Sequence, residues 1–256
     1  MSRMIAIANQ KGGVGKTTTS INLAACLAEK GQKVLLIDMD SQGNATSGVG
    51  IEKNDLEKTI YEVLRDEIAI EDAIISLDHC FDDFYLLPAN RNLAGAEIEL
   101  ITASNMQYIL KEKLKPIREL YDYIIVDCPP ALGMLTVNAM TAADTVLVPI
   151  QCEFYALDGL SQLLYTINLI QENLNPNLYM EGVVFTMYDA RTNLSLQVVE
   201  NVKDNLDYNI YKTIIPRNVR LAEAPSHGLP INLYDKKSTG SEAYKQLADE
   251  VMENEN

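Results

Sequence analysis

The sequence predicts an α/β fold: a mostly parallel, twisted sheet with helices on both faces. Three observations carry this expectation. Short β-rich apolar runs alternate with amphipathic stretches, a loop of glycines and lysines separates the first such pair, and two later strand runs each end in aspartate. Strands are predicted at Met4–Ala8, Val34–Asp38, Tyr85–Leu87, Tyr123–Asp127, Thr145–Ile150, Met180–Phe185 and Ile214–Ile215. Helices are predicted near Lys16–Lys30, Ser104–Leu120, Leu157–Asn173, Leu194–Leu206 and Ser241–Glu253. Strand–helix–strand order implies right-handed crossovers, and ligands of such sheets bind outside the carboxyl ends of the strands. No Pro/Gly/Ser-rich linker or repeat interrupts the chain, so residues 1–256 read as one domain.

Composition narrows the class. With 47% apolar and 22% charged residues the chain is an ordinary globular one. The apolar run at the start is too short for a signal peptide, and no stretch reaches the roughly 18 apolar residues of a membrane span. A cytoplasmic protein is expected. Cys26, Cys80, Cys128 and Cys152 form no CxxC pair, which argues against zinc or iron–sulfur ligation and suits reduced, buried thiols. His79 and His227 have no partner at metal-ligand spacing. The net charge of −15 opposes general affinity for nucleic acid, but it is uneven. Between Asp189 and Lys245 eight Lys/Arg face seven Asp/Glu, whereas the remainder sums to −16, so an anionic partner is expected to dock on the former region.

Directly after the first strand comes Lys11-Gly12-Gly13-Val14-Gly15-Lys16-Thr17-Thr18, opening into a helix. Glycines let successive N–H groups turn inward, and the helix start adds partial positive charge, so the loop is suited to cradle phosphate. In such a loop Lys16 reaches the β- and γ-phosphates and the Thr17 hydroxyl ligates Mg²⁺. The run K-G-G-x-G-K-[ST] is expected by chance on the order of once in 10⁷ positions. Gln10 stands where the usual GxxxxGK[ST] pattern has glycine, so this is a variant P-loop. Asp127 closes a strand, where a carboxylate can hold Mg²⁺ directly or through water. No Asn-Lys-x-Asp guanine-reading motif is present, which favours ATP over GTP.

The extra lysine, Lys11, resembles the signature of the deviant P-loop class, which includes ParA/Soj, MinD and the nitrogenase iron protein. Resemblance to the ParA/Soj partitioning ATPases runs nearly end to end. It includes Gln42-Gly43-Asn44-Ala45-Thr46, Asp127-Cys128-Pro129-Pro130, Asp189-Ala190-Arg191-Thr192-Asn193, Ile215-Pro216-Arg217-Asn218-Val219-Arg220-Leu221 and Glu223-Ala224-Pro225-Ser226-His227-Gly228. That resemblance implies that Lys11 crosses the interface of an ATP-bound homodimer to the other subunit's phosphates, and that Asp40 positions the attacking water. It also implies adenine near Pro216 and Asn218, nonspecific double-stranded DNA at Arg191 and Arg220, a ParB-like partner that stimulates hydrolysis, and nucleoid association. Family members usually carry proline where Ser41 follows Asp40 here. A first strand at Met4 leaves no room for the amino-terminal DNA-binding region of longer ParA proteins, so the chain resembles the short, Soj-like form.

A MinD-like membrane-cycling ATPase is the alternative. Such a protein needs a basic amphipathic helix at its carboxyl end, and residues 240–256 are acidic, which anionic lipid repels and which argues against membrane binding. Cys128 lies inside the second aspartate motif rather than where a shared cluster would sit, and Tyr244 is a single tyrosine rather than the cluster of a tyrosine kinase.

Overall fold

The computed structural model describes residues 2–99, 105–153 and 156–254. Eight strands form one sheet in the order β3-β4-β2-β5-β1-β6-β7-β8. These are β1 (Arg3–Ile7), β2 (Val34–Asp38), β3 (Ile75–Ser76), β4 (Phe84–Leu87), β5 (Tyr123–Asp127), β6 (Thr145–Gln151), β7 (Tyr179–Tyr188) and β8 (Ile210–Pro216). All pairings are parallel except that of the edge strand β3 with β4.

The central strands read as continuous apolar runs because both faces are covered. On β1, Met4 and Ala6 enter one core while Ile5 and Ile7 enter the other; Leu35 and Ile37 of β2 oppose Val34 and Leu36 in the same way. The first core is closed by α3 (Ile60–Leu64), α4 (Leu93–Glu99), α5 (Ile109–Leu114), α6 (Met134–Ala142), α7 (Ala156–Asn173) and α8 (Asn193–Asn205). The second is closed by α1 (Lys16–Glu29), α2 (Asn44–Gly48), α10 (Ile231–Tyr234) and α11 (Thr239–Glu253), while the short α9 (Val219–Glu223) precedes α10. Helices thus cover both faces, as expected.

The predicted helix at Ser104–Leu120 is corrected: Ser104 lies outside the described residues, and α5 spans only Ile109–Leu114. Pro116 has no N–H to offer the Glu112 carbonyl, and Lys115 N–H takes that oxygen at 3.3 Å instead. A separate 3₁₀ turn follows at Arg118–Leu120. Helix α6 escaped prediction because it is buried almost all round and shows no amphipathic period. The last strand is longer than Ile214–Ile215; polar Lys212 and Thr213 hide it, and the backbone N–H of both donates to Glu250, at 2.8 and 2.7 Å.

Three sequence expectations outside the site have structural counterparts. The four cysteines are free and buried. His79 Nε2 lies 2.9 Å from the Val49 carbonyl, and His227 stacks on Tyr234 at 4.9 Å. Tyr244 is fully buried, its hydroxyl 3.1 Å from Thr19 Oγ1, so α11 spends its apolar face on α1. Glu255 and Asn256 of the acidic tail lie outside the described residues.

The segment after the first aspartate pair is fixed by a close backbone crossing. A Cβ on Gly228, whose φ is +64°, would lie 2.6 Å from the Gly50 Cα. Gly228→Ala is therefore expected to cost about 2 kcal/mol or more in chemical denaturation, from the left-handed backbone and the clash together. A variant as stable as the parent would show that this crossing does not constrain the loop.

Candidate functional site

The carboxyl ends of β1, β2 and β5 meet beside one another: Ile7 pairs with Asp127, and Asp127 with Asp38. Connections leave β1 toward β2 on one side while β6 lies on its other side, so this edge is the sheet's switch point, where open α/β sheets bind ligands.

The loop after β1 is held by Asn9, whose Oδ1 accepts from Lys11 N–H at 2.9 Å and whose Nδ2 donates to the Pro149 carbonyl at 2.8 Å. Gly13 and Gly15 adopt φ of +75° and +89°, a conformation that other residues take at a cost. A Cβ built on Gly12 or Gly13 would meet nothing within 4 Å, so this stretch of backbone faces open space. The Lys16 side chain is buried, and its ammonium donates to the Lys11 carbonyl at 3.0 Å. Burial lowers its pKa, and the nearby carboxyl groups of Asp127 and Asp40 oppose that shift. Val14 is turned inward, its carbonyl accepting from Thr186 Oγ1 at 2.8 Å. Lys11 points elsewhere: its ammonium pairs with Glu153, just past β6 in the same chain.

A cavity of about 360 Å³ is lined by Gly12, Gly13, Gly15, Lys16, Thr17, Thr18 and Asp40, among others. A second, of about 350 Å³, is lined by Pro216 and Asn218 and shares Gly15, Thr18 and Met187 with the first. Of the predicted phosphate residues Gly12, Gly13, Gly15, Lys16, Thr17 and Thr18 line the first hollow and Lys11 and Val14 line neither, while the predicted base residues Pro216 and Asn218 line the second. The Asn218 side chain is engaged internally, capping α9 through Arg220 N–H at 2.8 Å and donating to Thr239 at 2.8 Å.

The three aspartates differ. Asp38 is fully buried and accepts from Thr46 N–H and Oγ1, both at 2.8 Å, and from Asp40 N–H at 3.2 Å, so it anchors the segment rather than facing the cavity. Asp40 lines the cavity and accepts from Gln42 N–H at 2.9 Å. Asp127 is fully buried; its Oδ1 accepts from Ser20 Oγ at 2.9 Å, and its Oδ2 has no hydrogen-bond partner. Burial, then the neighbouring Asp38 charge, pushes its pKa upward. An orphaned carboxylate oxygen next to the Thr17–Ser20 turn is a hard donor that fits Mg²⁺, with Thr17 supplying a second oxygen. Among the described residues no cluster of three His/Cys/Asp/Glu could hold a metal.

Arg191 and Arg220 are both exposed and both ion-paired. Arg191 grips Asp189 at 2.8 and 2.7 Å and holds its carboxyl well below the usual range. Arg220 reaches Glu223 at 2.8 Å and Asp235 at 3.5 Å.

The AAA_31 family, described as an AAA domain, matches residues 2–180. The sporulation initiation inhibitor protein Soj of Bacillus subtilis is 56% identical over 254 residues, covering 99% of this chain and 100% of that protein. The chain belongs to the ParA/Soj family of chromosome-partitioning ATPases. The chromosome partitioning protein ParA of Myxococcus xanthus is 52% identical over 98% of this chain and 88% of its own length. A crystal structure of cobyrinic acid a,c-diamide synthase from Mycobacterium smegmatis, with bound ATP analogue and magnesium, matches at a TM-score of 0.87 and 38% identity, covering 98% and 95% of the two chains.

Residues that sequence reasoning missed in this ParA/Soj protein are Ser20, Glu153, Thr186 and Met187. Glu153 was within reach, because it follows a strand end as Asp40 does. Met187 carries no sequence signal, since its place depends on how β7 meets the phosphate loop.

Proposed function

We propose that this ParA/Soj ATPase binds ATP with Mg²⁺ across the two adjoining hollows, closes into a homodimer, and then holds double-stranded DNA without sequence preference. A ParB-like partner stimulates hydrolysis and so releases the DNA. The observation that carries this reading is the convergence of the open glycine backbone, buried Lys16 and cavity-facing Asp40 at the switch point. The triphosphate lies on the N–H groups of residues 12–18, with Lys16 leaving the Lys11 carbonyl for the β- and γ-oxygens. Thr17 and Asp127 would hold Mg²⁺, which when bound neutralises charge on those phosphates. Asp40 orients the attacking water, and the base packs beside Pro216 and Asn218. Phosphoryl transfer to water needs positioning and charge stabilisation rather than a covalent intermediate.

Lys11 is the cation for the partner's phosphates. In the single chain Glu153 neutralises it, so closure exchanges one anion for another. Among the described residues no helix is long and apolar enough to cross a membrane, and α11 has its apolar face buried. The buried apolar face of α11 counts against a MinD-like membrane cycler, which needs such a face free for lipid, and favours the nucleoid-associated reading. Size-exclusion chromatography with and without ATP and short duplex DNA tests the cycle: ATP should double the mass and DNA should co-elute only then. A mass unmoved by ATP would overturn it.

Arg191 and Arg220 are the proposed DNA contacts, although each must trade carboxylate for phosphate. Arg191→Ala with Arg220→Ala is expected to weaken binding about equally across sequences and to flatten the salt dependence by roughly 0.9 for each phosphate no longer neutralised. ATP-dependent dimerisation should persist. Anisotropy with labelled duplex across a salt series, beside anionic liposome sedimentation, reads both. Unchanged DNA affinity refutes these contacts, and liposome binding without DNA binding favours the MinD-like reading.

A further inference from the structure

Among the described residues three non-glycine positions have positive φ: Asp66, Asn105 and Met187. Asp and Asn visit the left-handed region at modest cost because their short polar side chains bond locally; Met has no such compensation. A strained residue of this kind persists only where its surroundings over-determine it, and such positions gather at functional sites. The surroundings of Met187 do so. Thr186 on one side donates to the Val14 carbonyl at 2.8 Å, and the Tyr188 carbonyl on the other accepts from Arg217 N–H at 2.9 Å. The chain is therefore pinned to the phosphate loop before Met187 and to the segment after β8 behind it.

Between these pins Met187 lines both hollows. Its terminal methyl lies 3.9 Å from where a Cβ on Gly15 would stand, against the turn that opens α1. A nucleotide with phosphates in the first hollow and its base in the second has to pass this side chain with its sugar and the near edge of the base. We infer that Met187 is a nucleotide-contact residue, its thioether packing against the sugar and purine while its left-handed backbone aims it there. This rests on the ATP reading above. A thioether suits the place because it is flexible, polarizable and favourable against an aromatic edge. Filling a gap between β7 and the phosphate loop is the competing role, and it makes a different prediction: loss of Met187 would then loosen the loop itself.

Three variants separate the two roles. Met187→Ala removes the side chain and keeps the strain, Met187→Gly removes both, and Met187→Leu keeps apolar bulk. Calorimetric titration with a non-hydrolysable ATP analogue and, separately, with inorganic tripolyphosphate gives the readout, with thermal melting beside it. Ala and Gly are expected to weaken the ATP analogue about tenfold and Leu about threefold or less, all with tripolyphosphate affinity unchanged. Met187→Gly should melt no lower than Met187→Ala, because glycine adopts this backbone freely. Equal ATP affinity in all variants overturns the inference, as does a parallel loss for both ligands, which assigns Met187 to support of the loop. A parent that binds tripolyphosphate but not the ATP analogue overturns this inference and the ATP reading together, whereas failure confined to the variants' comparison leaves that reading standing.

Discussion

Lys16→Ala is expected to abolish productive ATP use, with hydrolysis down about 10³-fold or more, whereas Lys11→Ala should still bind ATP as a monomer and fail to close the dimer. The two lysines sit five residues apart and do different work. Lys16 is buried against the phosphate loop, and its ammonium lies 3.0 Å from a loop carbonyl. Removing it deletes the main positive charge inside the hollow. Lys11 lies outside the lining of that hollow, and its ammonium is held by Glu153. On the proposed reading it serves the partner's triphosphate, where a second cation would act as an arginine finger does, worth roughly 10³–10⁵ in rate in other NTPases. Separate measurement of nucleotide affinity and of ATP-dependent mass by light scattering distinguishes the roles. Dimerisation of Lys11→Ala equal to the parent's would sink the cross-subunit role.

Asp40→Ala is expected to slow hydrolysis by about 10²–10⁴ while leaving ATP affinity nearly intact, so that the ATP-bound dimer accumulates. Asp40 lines the phosphate hollow and supplies no phosphate donor. Its side chain accepts a turn bond from Gln42 N–H at 2.9 Å, so stability should change by no more than about 0.5 kcal/mol. Asp38, two residues earlier, is the contrast: it is fully buried and takes three hydrogen bonds, and replacing it should damage the fold itself. Single-turnover hydrolysis together with mass measurement checks the prediction. Normal turnover by Asp40→Ala would move the water-positioning role to the segment after Asp127.

By itself the sequence determined the elements whose chemistry is local. A phosphate loop needs glycines, a lysine and a hydroxyl in unbroken order, so Lys11–Thr18 was legible, and a run of β-formers ending in an acid placed Asp127 at a strand's carboxyl end. Two-sided burial wrote β1, β2 and β5 as unbroken apolar runs, and the parallel sheet followed from their alternation with helices. Only the tertiary structure decided what depends on contacts between distant segments. It split the predicted helix 104–120 at Pro116 and revealed α6, which is buried almost all round and so has no period to read. It gave Asp38 to Thr46 and left Asp40, which the family resemblance had singled out, to the cavity. It set Lys11 against Glu153 and the two arginines against carboxylates, and it brought Met187 to line both hollows. The reason is the same in each case: a side chain's partners are chosen by where the sheet brings the ends of its strands, and that order of strands is not the order of the chain.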